Sequence, residues 1–575
     1  VKEAEEMKAA LTDDVIEKAF RERWPQQIYD LHAQEIIGKL KSRRDLLPEV
    51  AADYYTMLNK VAEVKGSKKR EKFVVERLPD DKTRVTVQKI NKEGELTKTL
   101  FDRTFENKVT KELRLYGFEG EDIYDVKGDV QSGPRLRIIA GTDKDSITDR
   151  SNVAGFRRYT HIYDADSGNV ITPGRDTRLR TEPGIDVSRY DVHNRSNRKD
   201  YTLNYFGPTL YFGYNIDDRL FLGGGAVYRT YGFRKEPYAS EQSLAANYSP
   251  SQQAYNVRYL GHFVDMIGKY DLRVNAQLYG PQLLYNYFGE GNDSRNLLAE
   301  NSEEGERVRN RDINDTYRVR FSRLYVSPVL ERDLFSFMNF GIGPQYDQFR
   351  VQREPIGSEI ARGLDVNNNG FQDAGLGIRS SDFQLNRYLG GRAYLNIDAA
   401  SSPKNPRIGL RWYNSIEYNY QLNAEQLKYG RMASEFRFYL SPNFPFQLTW
   451  AGRIGGTRNF GDYRFYQANT LGGTTNLRGY RRTRYAGRSS VFANAEVRVQ
   501  LFEFNAYLVP GKFGILGLTD AARVYSPYDV KTGVKAFHTA FGGGVWVDVL
   551  KQAVINATYS VGEENLVFVG FDFLF

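Results

Sequence analysis

The chain reads as a mainly β protein. Its C-terminal part is expected to form a transmembrane antiparallel β-barrel of about sixteen strands, preceded by a small helical segment and a short β domain. Three observations lead there. From about residue 199 onward, turn-bounded segments alternate polar and apolar residues, the strand period that sends successive side chains to opposite faces. Aromatics make up 14% of the chain, with 52 Gly and 40 Tyr, yet mean hydropathy is −0.57. No run approaches the roughly 18 apolar residues of a membrane helix, a length that a barrel with one lipid face and one polar lumen face does not need. Finally, the C-terminus itself alternates, with Phe571, Phe573 and Phe575 set against Asp572 and Leu574.

Residues 1–66 read as helices. Thr12 before Asp13 and Asp14 makes an N-cap with a negative first turn. Pro25 and Pro48 suit the first turns of two further helices. Val50, Tyr54, Met57 and Val61 recur at helical spacing and predict one buried stripe. The basic run from Lys39 to Arg44 reads as a solvated face, with a binding site as the sharper alternative. Over residues 67–150 the period switches to two. Phe73/Val75, Val85/Val87, Leu100 and Phe105 lie on short segments, with turns at Asp80-Asp81 and Asn91 to Gly94, so a small β domain is expected. Residues 151–198, rich in Asp, Arg, Gly and Asn, read as a long connector.

Residues 199–575 are assigned to the barrel. In Val491 to Leu501, Val491, Ala493, Ala495, Val497, Val499 and Leu501 oppose Asn494, Glu496, Arg498 and Gln500. In Phe446 to Arg453, Phe446, Leu448 and Trp450 oppose Gln447, Thr449 and Arg453. In Tyr317 to Tyr325, Arg318, Arg320 and Ser322 oppose Tyr317, Val319, Phe321 and Tyr325, with Arg323 an exception on the apolar side. An Arg-lined face opposite an aliphatic one suits lumen against lipid. At about ten residues per strand plus turns and loops, an even number near sixteen fits.

The C-terminus resembles the terminal signal of bacterial outer-membrane barrels, with glycine at Gly570 and bulky apolar residues at Phe573 and Phe575; its polar position falls on Phe568, a departure. A second segment is more specific. Gly472-Gly473, followed by Leu477-Arg478-Gly479-Tyr480, resembles the sixth-loop signature of the BamA/TamA superfamily of outer-membrane assembly and translocation proteins. Asn494 to Arg498, Leu516 to Val524 and Phe541 to Val545 resemble later strands of that family, in order. The resemblance implies a loop folded back into the lumen, with Arg478 as the loop arginine, Asp520 its first carboxylate partner and Glu496 its second. Gly479 would let the loop tip turn tightly and Tyr480 would complete the signature. It further implies a bacterial outer-membrane location, a periplasmic N-terminal region, surrounding lipid, and a polypeptide client or outer-membrane protein complex as partner.

The family's repeated periplasmic client-receiving unit has no convincing counterpart in residues 1–198. Ala33 to Asp45, Thr110 to Gly117 and Tyr285 to Asn292 resemble instead a Bacteroidetes-type subgroup in which a calcineurin-like metallophosphoesterase precedes the barrel. Two functions therefore stay open. One is a translocation or assembly barrel with the Arg478 loop as gate element. The other is a closed barrel that anchors a periplasmic enzyme or a larger complex. This chain is expected to be no enzyme itself. His193, in Asp191-Val192-His193-Asn194, lacks companion metal motifs, and there is no Gly-x-Ser-x-Gly elbow, P-loop or cysteine nucleophile. An active site, if any, would lie upstream of Val1, where an export signal is also expected. The zero cysteine count is compatible with an oxidising compartment. Nucleic acid is not an expected partner, since the net charge of +8 is small for 575 residues and the arginines are dispersed.

Calcium is the one cofactor considered. Gly117 to Tyr124 and Ala140 to Ile147 approximate the Gly-Gly-x-Gly-x-Asp-x-apolar rung of a calcium-binding β-roll, with Asp122, Asp143 and Asp145 as oxygen donors. Ordinary Gly/Asp turns of a short β-solenoid are the plainer reading. Asp365, Asn367, Asn369 and Asp373 stand at EF-hand-like spacing, without the closing glutamate. A strand-connecting loop is the alternative there.

Overall fold

A computed structural model describes residues 1–155, 157–164, 168–180, 203–215, 219–233, 235–250, 253–294, 296, 299, 305–306, 317–352, 378–423, 425–442, 447–505, 510–527, 529–530, 533–550, 553–571 and 573. The chain divides into two compact units, Val1–Thr202 and Leu203–Phe575.

The first unit opens with helices Lys2–Ala10 and Asp13–Arg23, the second capped by Thr12, whose Oγ1 accepts from the Val15 N–H at 3.3 Å. A short turn, Gln26–Ile28, runs through π-helical Tyr29–Ala33 into Gln34–Asn59. Pro48 lies inside this last helix instead of starting one. Proline's fixed φ is helical anywhere, so its presence marks an N-terminus only statistically. The expected stripe is not buried either: Val50 and Tyr54 are each 57% exposed, Met57 is 40% exposed, and Val61 already begins a strand. The long helix buries its early part, where Ala33 and Ile37 pack with Ile16. Helical period reveals an apolar face but not what covers it. Of the basic run, Lys41 pairs with Asp13 and Glu17 and Arg44 with Asp13, tying two helices together.

A β-solenoid follows. Strands Val61–Lys65, Glu112–Tyr116, Arg135–Ile139, Thr160–Tyr163 and Thr177–Arg180 form one parallel sheet. Strands Glu71–Leu78, Ile123–Val130, Ser146–Val153 and Val170–Thr172 form the parallel part of a second. Glu112 faces Arg135 and Ser146 faces Val170, so the middle coils take 23 or 24 residues, and Thr160 facing Thr177 shortens the last to 17. The hairpin Lys82–Ile90/Leu96–Glu106 is inserted after the first coil, and its entry turn uses positive φ at both Asp80 and Asp81. Phe73, Val75, Leu113, Leu115, Tyr124, Leu136, Ile138 and Ile162 fill the space between the sheets. The reading of 151–198 as a connector is corrected by the strands at 160–180, which continue the coils in register. These last coils have strands of three or four residues, too short to show a period against their polar turns.

The second unit is a closed antiparallel barrel of sixteen strands, as the sequence predicts. Long loops gather at one end, between Tyr270–Asn286 and Arg318–Phe335, between Met338–Val351 and Leu385–Asp398, and between Leu448–Gly461 and Ser489–Asn505. The last of these joins strands eleven and twelve and carries its own small hairpin, Asn469–Leu471 with Tyr485–Gly487. Large apolar side chains point outward along the strands, among them Leu210 (83% exposed), Leu222, Ile342, Leu389, Ile416, Trp450, Ile454 and Phe541. So continuous an exposed apolar surface around a closed sheet is the mark of a membrane-spanning barrel.

The inner wall departs from the expected assignment over Tyr317 to Tyr325. Here the apolar face lines the lumen and Arg323 belongs to it, bonded bidentately to Asp347 at 2.9 and 2.8 Å. The reason is the loop from strand eleven. Its Phe465 and Tyr466 pack in the lumen against Tyr285, Val319, Phe321, Phe349 and Tyr388. An apolar inner wall is dry where an apolar loop covers it.

Candidate functional site

Strand alternation puts Asn494, Glu496 and Arg498 on the lumen face of Ser489–Asn505, and register places Asn494 directly opposite Asp520 on Pro510–Tyr525. The loop tip, residues 472–480, descends onto this patch. Arg478 donates from Nε to Asp520 Oδ2 at 2.8 Å and from Nη2 to Oδ1 at 2.7 Å, a bidentate fork. Its backbone N–H also donates to Asp520 Oδ2, at 2.9 Å, and its Nη1 to Glu496 Oε1, at 2.5 Å. The other Glu496 oxygen accepts from Arg498 Nε at 2.9 Å and Nη2 at 2.7 Å. All four side chains are buried. A buried ion pair is tolerable only when its remaining polar atoms are also satisfied. Asn494 meets that need, donating to Asp520 Oδ1 at 2.7 Å and to the Asn476 carbonyl at 2.9 Å.

The expected Arg478, Asp520 and Glu496 thus come together. Gly479 holds φ +79°, and a Cβ there would lie 2.8 Å from the Gly562 nitrogen, so only glycine fits between loop and last hairpin. Tyr480 donates its hydroxyl to the Thr539 carbonyl at 3.1 Å.

Sequence reasoning missed how widely the loop is fastened. Arg481 donates to Glu564 at 2.8 Å, and Arg484 to Glu563 at 2.7 and 2.8 Å, both on the turn between the last two strands. Arg464, fully buried, pairs with Asp382 at 3.0 Å. Tyr463 donates to Glu290 at 3.1 Å, and Thr483 donates its hydroxyl to the Asn286 carbonyl at 2.7 Å. The density of arginine after Gly479 was the available signal. Its partners lie too far away in sequence to be read.

The barrel closes between its first and last strands. Among the described residues, this seam shows one register pair, Tyr214 with Val569, whereas the first two strands pair from Tyr205–Arg229 through Asn215–Arg219. A cavity of about 490 Å3 lies beside the seam, lined by Tyr214, Thr474, Arg478, Glu496, Phe568 and Phe573, among others. Gly570 also lines it, and Phe573 turns inward, with Arg498 Cζ 3.8 Å from its ring centre. A second cavity, of about 1350 Å3, is lined by Tyr287, Glu290, Tyr463, Phe465, Thr457 and Ser490, among others. Phe575, Phe446 and His193 lie outside the described residues.

The first calcium set lies in the solenoid. Asp122 Oδ1 accepts the Glu71 N–H at 2.8 Å, Asp145 Oδ1 accepts the Asp122 N–H at 2.7 Å, and Asp143 Oδ2 accepts the Gly120 N–H at 2.5 Å. Asn169 continues the series by accepting the Asp145 N–H at 2.7 Å. Each side chain ties its coil to the preceding one. Burial pushes the Asp122 carboxyl up to about 9, so it is protonated at neutral pH. Among the described residues, the group with metal-ligating spacing is His262, Asp271 and Glu331. It is engaged internally: His262 bonds Asp271 at 2.7 Å and Tyr238 at 2.9 Å, and Glu331 accepts from Arg273 at 2.5 Å. Asp365, Asn367, Asn369 and Asp373 lie outside the described residues.

No family model matches the chain, and no curated protein does. Similar solved structures include BamA from Haemophilus ducreyi lacking POTRA domains 1–3, at 13% identity and TM-score 0.43, with 70% of this chain and 72% of that one covered. CdiB from Acinetobacter baumannii is similar at 11% identity and TM-score 0.38, covering 64% and 59%. CdiB from Escherichia coli is similar at 11% and 0.37, covering 70% and 66%.

Proposed function

We propose that this chain is an outer-membrane barrel that moves or inserts polypeptide, with its N-terminal unit in the periplasm and the lumen loop as gate element. The observation that carries the reading is the Arg478 fork. One loop residue bridges two neighbouring wall strands, beside a cavity that opens on the barrel's seam. The seam strands, once apart, would offer unpaired backbone N–H and C=O groups to an incoming client strand, which pairs by β-augmentation. The family resemblance of Gly472 to Tyr480 and of the following strands agrees with this role.

The second reading, a closed barrel anchoring a periplasmic domain such as a phosphoesterase supplied upstream, is favoured by the number of points at which the loop is fastened. A covalent seam separates the two. The chain has no cysteine, so Tyr214→Cys with Val569→Cys would introduce one defined pair. The protein is reconstituted in liposomes and presented with a urea-unfolded eight-stranded barrel client. Faster client insertion, lost on oxidation of the cysteine pair and regained on reduction, is expected. No acceleration in either redox state would leave the anchor as the function.

A further inference from the structure

The outward face carries an asymmetry that polypeptide transport does not use. Arg350 on Met338–Val351, Arg387 on Leu385–Asp398, Lys428 on Lys428–Leu440 and Arg458 on Leu448–Gly461 are all exposed. Register fixes their direction. Lumen-facing Phe349 opposes lumen-facing Asn386, so Arg350 and Arg387 alternate outward; Lys428 pairs with Tyr420, and Arg458 with Met432, both on the outer side. Each lies within the last few residues of its strand at the long-loop end. None of the four has an acidic partner among the described residues. The acids of these strands and of Gly409–Gln421, namely Asp347, Asp398, Glu417 and Glu435, all fall on lumen positions.

On the first five strands, Arg229, Arg258 and Arg273 take lumen positions, and the outward row reads Phe206, Leu210, Phe212, Leu222, Leu244, Val257 and Leu278. These four cations therefore share one side and one rim, while Arg332, also outward, stands alone at the opposite rim beside the Tyr270 ring. Below them lies an apolar wall of Leu389, Ile416, Met432, Phe436 and Ile454. Aromatic neighbours complete an interfacial setting: Lys428 Nζ lies 5.7 Å from the Tyr420 ring centre, and Arg458 Cζ 5.6 Å from that of Phe460.

Cations at the edge of a hydrocarbon layer are costly unless their heads reach polar groups of the interface. In a barrel, long loops mark the outer side. We propose that this belt binds the phosphate groups of the phosphorylated glycolipid that forms the outer leaflet, with its acyl chains against the wall below. Guanidinium groups suit phosphate because their fork of N–H donors matches its oxygens. The belt would fix the barrel's rotational position in the leaflet, with the seam between first and last strands away from the bound lipid. The proposal rests on the membrane-spanning reading of the barrel, not on the transport reading.

The test uses the full chain in detergent. The probes are lipid A bearing two phosphates, the same lipid A dephosphorylated, and phosphatidylglycerol, with adducts counted by native mass spectrometry. Preferential retention of phosphorylated lipid A is expected. It should fall at least tenfold in the variant Arg350→Gln, Arg387→Gln, Lys428→Gln, Arg458→Gln, which should keep heat-modifiable gel mobility. A second variant, Arg350→Lys, Arg387→Lys, Arg458→Lys, should retain most of the binding. Equal retention of all three lipids, or unchanged retention in the glutamine variant, would overturn the proposal. A chain that stays soluble and monodisperse without detergent would instead overturn the membrane reading beneath it.

Discussion

Asp122 in the solenoid and Asp520 in the barrel are equally buried, each 1% exposed, and serve opposite ends. Asp122 accepts a backbone N–H from the neighbouring coil, and its surroundings favour the protonated acid. Asp520 accepts two guanidinium N–H groups and a backbone N–H from a loop on the other side of a strand connection. The first contact joins parts of one continuous stack. The second joins a wall to a separate element that could leave it. Burial of a carboxylate therefore does not identify function; what its partner is attached to does.

That contrast can be broken at several points. The largest effect is expected from Arg478→Ala, which leaves Asp520 and Glu496 buried beside an empty place. Losing one partner of a buried pair costs about 3–5 kcal/mol. The cost should appear as loop release, read by new protease cleavage within 462–488 while the barrel stays folded. Phe465→Ala should follow at about 3 kcal/mol, since it empties part of the aromatic cluster in the lumen. Its readout is the denaturant midpoint of the barrel. Gly479→Ala places a Cβ against backbone at positive φ and should cost about 1–2 kcal/mol. A midpoint unchanged by this substitution would mean that the loop does not pack on the last hairpin as described.

A further effect belongs to the solenoid and depends on pH. The Asp122 carboxyl is raised to about 9 in the folded chain, from an ordinary value of 3.8. Between these values the unfolded state has lost the proton that the folded state keeps. Stability of this unit should therefore fall as pH rises, by at most about 1.4 kcal/mol per pH unit. His161 acts oppositely and at lower pH, because burial, with Arg137 nearby, lowers it to about 4. The window from pH 7 to 9 isolates Asp122. Asp122→Asn should flatten the dependence there, measured as hydrogen exchange over Ile123–Val130 after correction for the intrinsic rate.

Much of the barrel was legible because period two survives wherever one face meets lipid. Val491 to Leu501 is such a case, its aliphatic face outward and its polar face in the lumen. The rule failed at Tyr317 to Tyr325 because Phe465 and Tyr466, far along the chain, make that stretch of lumen apolar. The Arg478 contact was legible only through the family resemblance of Gly472 to Tyr480 and of the two strands that carry Glu496 and Asp520. Glu563 and Glu564 were not, since a turn pair of acids looks like any solvated turn. The late coils of the solenoid were hidden by the shortness of their strands, and the exposed helix stripe by the silence of periodicity about what packs where.

The most direct test of the account is single-channel conductance in planar bilayers, comparing the parent with Arg478→Ala and Asp520→Ala. A gate loop held by this pair predicts a closed parent and open, ion-conducting variants of both kinds. Folded barrels that stay closed in all three cases would contradict it and leave the loop as a permanent part of the wall.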